Sequence, residues 1–182
     1  TVTDTQDVSG KILERRDTSS VTEAILREKI STFEGGYAQI PPMYSALKVG
    51  GKKLYELARE GKSVERKPRN IKIYNIDILK VELPRVKMRV HCSKGTYIRT
   101  LCHDIGESLG CGGCMEELLR TQVSRFRLEN AYTLSQIEES KEKGKLEELI
   151  LPIDEMFSEY PKAVVMDRWK KLIYNGNPFP DS

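Results

Sequence analysis

Cys92-Ser93-Lys94-Gly95-Thr96-Tyr97-Ile98-Arg99-Thr100-Leu101 joins an alternating strand to an amphipathic helix, and the reading of the whole chain turns on it. Before it, Arg85 to Cys92 puts Val86, Met88, Val90 and Cys92 on one face and Arg85, Lys87, Arg89 and His91 on the other, the period of a half-buried strand. Ser93-Lys94-Gly95 stops the strand. From Ile98 the apolar positions Ile98, Leu101, Cys102, Ile105 and Leu109 fall three and four apart, and Gly106 and Gly110 weaken and then end the helix. Such a junction projects Thr96, Tyr97 and Arg99 off the end of a sheet, within reach of a ligand. Period and spacing alone also allow a partly buried core Tyr97 and a solvated Arg99.

At 182 residues the chain has room for one ordinary domain and a small piece of a second. It begins with Thr, has no signal-like start and no apolar run of membrane-spanning length, so a cytoplasmic protein without a membrane partner is expected. The four cysteines, Cys92, Cys102, Cys111 and Cys114, crowd into one short region without secretory marks, which argues against disulfides. Cys111-Gly112-Gly113-Cys114 has the spacing of a zinc knuckle or redox pair, with Cys102-His103 nearby. Cys102, however, falls on the apolar face of the expected helix and reads as core, so no metal site is assigned.

The formal charge of +3 is small, but its distribution is not even. Between Lys48 and Lys72 nine Lys or Arg (Lys48, Lys52, Lys53, Arg59, Lys62, Arg66, Lys67, Arg69, Lys72) face three Glu, a local net of +6, so the rest of the chain sums to −3. Leu54, Leu57 and Ala58 give a short helix there one apolar face, with Gly50-Gly51 and Gly61 as hinges. A solvated charge run is one reading; a mobile basic hairpin gripping phosphates is the other.

Elsewhere, Lys11 to Glu14 reads as an edge strand and Ser20-Val21-Thr22-Glu23 as a capping box. The helix behind it carries Val21, Ile25, Leu26, Ile30 and Phe33 and ends at Gly35-Gly36. Gln39 to Tyr44 carries two adjacent prolines and is expected as a rigid extended segment at a surface. Ile71 to Leu83 is β-rich with a phase shift near Tyr74 and Asn75 that implies a bulge, and it pairs as a hairpin with Arg85 to Cys92. Met115 to Arg120 reads as a helical turn or two, Val123 to Leu128 as a strand, and Ala131 to Leu151 as a charged helical stretch broken at Gly144. Pro152 marks a boundary. Asp167 caps a last helix bearing Trp169, Leu172 and Ile173, and Gly176, Pro178 and Pro180 end the chain in open coil.

Several blocks, in order, resemble one family. Cys92 to Leu101 is similar to the C-S-x-G-T-Y-I-R-x-L segment of the TruB-type tRNA pseudouridine synthases, which modify the uridine of the TΨC loop. Ile40-Pro41-Pro42-Met43-Tyr44-Ser45-Ala46-Leu47-Lys48 with Gly51 to Arg59, and Thr3-Asp4-Thr5-Gln6-Asp7-Val8-Ser9-Gly10, are similar to two further family blocks. With Leu118 to Thr121, the resemblance runs from Thr3 to about Pro152. It implies an α+β fold with a largely antiparallel sheet and flanking helices, its N-terminal strands missing. Residues 1–152 would then be the later part of a catalytic domain, with 48–72 as its RNA-binding thumb, and 153–182 the start of a truncated PUA-like RNA-binding domain. That thumb is largely lacking in the relatives of dyskerin, which points to a stand-alone bacterial type with no obligatory protein partner.

The resemblance also implies roles. The partner is the T-arm of tRNA, and no cofactor is needed. Tyr97 is the platform for the extruded uracil, Leu118 a wall against it, and Arg99 the cation that holds an aspartate nucleophile ionised and aimed. Lys48, Lys52, Lys53, Arg59, Lys62, Arg66, Lys67 and Arg69 become RNA contacts. Leu118 read by itself is a core leucine. The G-T-L-D-x-x-A segment that carries the family's nucleophile does not occur in this sequence, and Asp4, Asp7 and Asp104 stand in other contexts. The chain is therefore expected to be a fragment, inactive alone, of an active synthase. A non-catalytic RNA-binding or RNA-folding module is the alternative.

Overall fold

The alternating residues between Arg69 and Cys92 fold as a hairpin within a three-stranded antiparallel sheet, and two helices cover its apolar face. The structure is a computed structural model that describes residues 1–162 and 164–178; the coil expected at Pro180 lies outside the described residues. The chain divides into two compact units, Thr1–Leu119 and Arg120–Ser182. The first unit carries, in order, β1 (Val2–Thr3), β2 (Ile12–Glu14), α1 (Glu23–Ser31), β3 (Gly35–Gln39), β4 (Lys48–Val49), β5 (Lys52–Lys53), α2 (Leu54–Arg59), β6 (Arg69–Glu82), β7 (Arg85–Cys92) and α3 (Ile98–Ser108). The second carries β8 (Gln122–Val123), β9 (Phe126–Arg127), α4 (Leu134–Glu142) and α5 (Lys170–Tyr174), joined by 3-10 turns. This mixture of helices and antiparallel pairs is the expected α+β class.

In the main sheet β6 lies between β3 and β7. Val86, Met88, Val90 and Cys92 face inward and Arg85, Lys87, Arg89 and His91 outward, as the alternation requires. The register of β6 on β7 slips between Ile73 and Asn75, which is the bulge implied by the phase change, and slips again between Ile78 and Lys80. The core joins Leu26 and Ile30 of α1 to Ile71, Ile73 and Ile76 of β6 and Leu101 and Ile105 of α3, with Val21 and Cys111 at its margins. Leu101 is 0% exposed, and burying a leucine fully is worth about 1.5–3 kcal/mol.

Six local expectations are corrected. Helix α1 is capped by Thr22, whose hydroxyl accepts from the Ile25 N–H, and not by Ser20; Val21 and Leu26 occupy the two staple positions that fix the entry there. Gly35-Gly36 does not stop that helix but opens β3, which pairs with Ile73 and Lys72. The diproline segment does not lie wholly at the surface: Gln39, Pro41 and Pro42 are buried and only Ile40 is exposed, since Gln39 and Tyr44 are tied to the start of α3. Met115 to Arg120 is extended: Met115 exchanges backbone bonds with the loop at Gln6 and Val8, which a helix would forbid. Val123 to Leu128 is a two-residue hairpin, β8 on β9, turned at Ser124, and Asp167 lies inside a 3-10 turn, paired with Lys170, and not at a cap.

The segment 111–114 crosses α3 at Gly106 so closely that side chains are excluded. A Cβ on Gly106 would collide with the backbone of Gly112 and Gly113, and one on Gly113 with the Cys102 carbonyl. At Gly110, by contrast, φ is +73° but the space around a Cβ is open. Gly110→Ala is therefore expected to cost about 1 kcal/mol of backbone strain. Gly106→Ala should cost clearly more, about 3 kcal/mol or outright failure to fold, because it must move backbone. Urea denaturation of the two variants checks the order, and equal losses would contradict the close crossing.

Candidate active site

Helix α3 starts without a side-chain cap of its own. Its N-cap residue is Tyr97, at φ −98° and ψ 107°. The fastening comes from Gln39 at the end of β3, which is 1% exposed. Its Oε1 accepts from the Tyr97 N–H at 2.8 Å and its Nε2 donates to the Tyr97 carbonyl at 3.1 Å, so the side-chain amide pairs with residue 97 as a neighbouring peptide would. The same Nε2 donates to the Tyr37 hydroxyl at 2.6 Å. Burial pushes the Tyr37 phenol up to about 12, which keeps it neutral. Gln39 did not stand out in the sequence; the only signal was its place at the head of the diproline segment.

Arg99, in the first turn of α3, reaches two loops. Its Nη2 donates to the Tyr44 carbonyl at 2.7 Å and its Nη1 to the Thr5 carbonyl at 3.3 Å. Next to it the buried Thr100 donates its hydroxyl to Gln6 Oε1 at 2.7 Å. The loop at 5–8 is in turn bound by Met115: the Val8 N–H donates to the Met115 carbonyl at 2.8 Å and the Met115 N–H to the Gln6 carbonyl at 3.0 Å. Leu118 lies three residues beyond that pairing. At 55% exposed it is not a core leucine among the described residues.

The carboxylate in the field of Arg99 is Asp7. It is held below the ordinary carboxylate range first by the Ser9 hydroxyl, at 2.7 Å from Oδ1, then by the Ser9 N–H at 3.0 Å. Burial opposes these, and the Arg99 charge adds a smaller lowering. A depressed carboxyl stabilises the fold above its unfolded pKa, and that contribution is lost as pH falls through the folded value.

The basic residues divide by surroundings. Lys48, Lys52 and Lys53 form the hairpin β4 on β5, and Arg59 ends α2. Lys53 Nζ and the Arg59 guanidinium lie 5.4 and 5.3 Å from the centre of the Tyr55 ring. Lys52 and Lys62 share Glu60, while Lys67 and Arg69 are exposed. Arg66 turns inward: it donates to the Pro41 carbonyl at 3.0 Å, and its buried Nε has no partner among the described residues. It lines a cavity of about 220 Å³ with Thr3, Gln6, Met43 and His103, whose buried Nδ1 is likewise unpartnered.

The four cysteines are free thiols. Burial pushes Cys102 up to about 11 and raises Cys114. Among the described residues no three His, Cys, Asp or Glu converge as metal ligands, and the Gly-Gly between Cys111 and Cys114 serves the crossing over α3. Among them, too, no helix is long and apolar enough to cross a membrane.

Residues 1–98 match the family model for the N-terminal domain of the TruB family pseudouridylate synthases, and residues 99–158 match that for the tRNA pseudouridylate synthase B C-terminal domain. The chain belongs to the TruB family. It is 56% identical over 156 residues to the tRNA pseudouridine synthase B of Lachnoclostridium phytofermentans, a match covering 81% of this chain and 51% of that protein. With the proteins of the same name from Alkaliphilus oremlandii and Clostridium tetani the identities are 49% and 46%, covering 96% of this chain and 57% and 59% of theirs. The chain thus spans a little over half the length of these TruB relatives. Among solved structures it is similar to a chain of a Cbf5-Nop10-Gar1 complex (TM-score 0.59, 32% identity, 74% of this chain and 38% of that one). It is also similar to a chain of an H/ACA RNP bound to a substrate RNA containing 2'-deoxyuridine (TM-score 0.55, 28% identity, 75% and 37%). These likenesses accord with the pseudouridine synthase fold.

In an NMR titration, Ser9→Ala is expected to move Asp7 up toward its ordinary value, about 3.9, by more than Arg99→Gln does. The opposite order would mean that Arg99 is committed to Asp7.

Proposed function

We propose that the chain is part of a tRNA pseudouridine synthase that isomerises the uridine of the TΨC loop, position 55. The observation that carries this is the match of residues 1–158 to the two TruB domain models, with tRNA pseudouridine synthases B at 46–56% identity behind it. The geometry supports it. Isomerisation breaks the bond from ribose to N1 of uracil, turns the base and rejoins it through C5, so the base must leave its stack and be held. Tyr97 offers the ring and Leu118 an exposed apolar surface. Arg99, anchored on two carbonyls, presents a fixed guanidinium to the aspartate nucleophile, which belongs to a family segment that this sequence does not contain. The substrate is the T-arm of tRNA, in the cytoplasm, and no cofactor or obligatory protein partner takes part. Lys48, Lys52, Lys53, Arg59, Lys62, Lys67 and Arg69 contact RNA phosphates; Arg66, expected among them, instead turns inward and holds the Pro41 carbonyl.

The test is tritium release from a T-arm hairpin labelled at C5 of its uridines. The chain alone is expected to release none, and addition of the family's nucleophile-bearing segment is expected to restore release. Release by the chain alone would make one of its own aspartates the nucleophile. No release even after addition would favour the non-catalytic RNA-binding module.

RNA binding should follow the thumb. Replacing Lys52, Lys53 and Arg59 together by Gln should weaken hairpin binding and flatten the slope of log K against log salt by about 0.7–0.9 for each phosphate no longer neutralised. An unchanged slope, measured by fluorescence anisotropy over a salt series, would place the phosphate contacts elsewhere.

A further inference from the structure

We infer that Gln39 is a positioning residue of the active site, aiming Tyr97 and Arg99 through the backbone; this rests on the function proposed above. Tyr97 and Arg99 both need a defined starting geometry for α3, and the helix supplies no cap of its own there. Gln39 takes that place from 58 residues away. Its amide satisfies both the N–H and the carbonyl of Tyr97, and that carbonyl also accepts the first bond of the helix, from the Leu101 N–H at 3.0 Å. Moving Gln39 therefore moves the first turn of α3.

The same short segment holds the other residue. Tyr44, five positions after Gln39, gives its carbonyl to Arg99 Nη2 at 2.7 Å. Between the two contacts lie Pro41 and Pro42, both buried and with φ fixed by their rings, so the distance between the grip on Tyr97 and the grip on Arg99 is set by stiff backbone. Tyr37 completes the arrangement from the other side. Its neutral hydroxyl accepts from Gln39 Nε2, and the two bonds to Tyr97, one accepted and one donated, would both be lost if the amide flipped. Gln39 touches no substrate in this arrangement. It acts by fixing where the platform and the cation stand.

The test uses Gln39→Leu, which keeps the volume, and Gln39→Glu. In the synthase completed with its nucleophile segment, Q39L is expected to lower kcat by roughly 10- to 100-fold with KM for the hairpin within about twofold, because small misplacements act on the reacting geometry while the thumb still binds RNA. Q39E separates positioning from packing. A protonated carboxyl can accept from the Tyr97 N–H and donate to its carbonyl, whereas the ionised form cannot donate. Its kcat should therefore approach the unmodified value at low pH and fall as pH rises through the introduced carboxyl. Unchanged kcat in a folded Q39L, or equal losses in kcat and affinity, would overturn the proposal. A second readout does not depend on turnover. In the chain as it stands, NMR should show the Tyr97 amide exchanging slowly and the Arg99 Nη protons resolved, and both signs should vanish in Q39L. An unmodified synthase without turnover would overturn the functional reading, and the Arg99 and Tyr97 signals would then decide the positional claim.

Discussion

The contact on which the first unit depends is the backbone-to-backbone crossing of α3 at Gly106 by residues 111–114. Two segments can approach this closely only where neither carries a Cβ, and Gly106 and Gly113 meet that condition. The consequence travels along the chain. Once 111–114 lies flat on the helix, Met115 arrives beside the loop at 6–8 and pairs with it. That loop then stands where Thr100 and Arg99 can reach it, through Gln6 Oε1 and the Thr5 carbonyl. A packing constraint at the last turns of α3 thus fixes the surroundings of its first turn.

Patterns within one element were legible in the sequence. The strict alternation from Arg85 to Cys92 became β7 with the expected faces, and the phase change after Ile73 became a register slip, because both follow from a period of two and need no knowledge of the neighbours. Much of what failed depended on distant partners. Gly35-Gly36 reads locally as a helix stop, yet it forms the start of a strand since β6 offers it a free edge. Met115 to Arg120 has helical composition, yet its backbone is claimed by a loop more than a hundred residues earlier. One failure was local: Ser20 to Glu23 reads as a capping box, yet the cap is Thr22, with Val21 and Leu26 buried at the staple positions on either side of it.

The site divides the same way. Tyr97 and Arg99 could be named from a ten-residue string because the family resemblance runs through contiguous residues. Gln39 could not, since its role is to pair a side chain with a backbone across 58 positions and nothing in its own neighbourhood announces that. Leu118 sat between two readings in the sequence, and only its exposure separates it from the core. Arg66 shows the converse. It counted as one charge among nine, but a guanidinium whose Nη1 holds the Pro41 carbonyl is not a free surface cation.

The arrangement around Arg99 explains why an arginine stands there. A guanidinium has five N–H donors in a plane, and two carbonyls from separate loops fix that plane with two of them. Among the described residues no carboxylate forms an ion pair with this guanidinium: Asp7 lies in its field but directs Oδ1 to the hydroxyl and N–H of Ser9. The remaining donors are oriented before any anion arrives, and a pre-oriented fork loses little entropy when a carboxylate docks on it. A lysine ammonium at the same position would carry the same charge, but the two carbonyls would then consume donors without setting a plane. The carbonyls are therefore as much a part of the candidate site as the cation, and they come from Thr5 and Tyr44, the two loops that the glycine crossing and the diproline segment hold against α3.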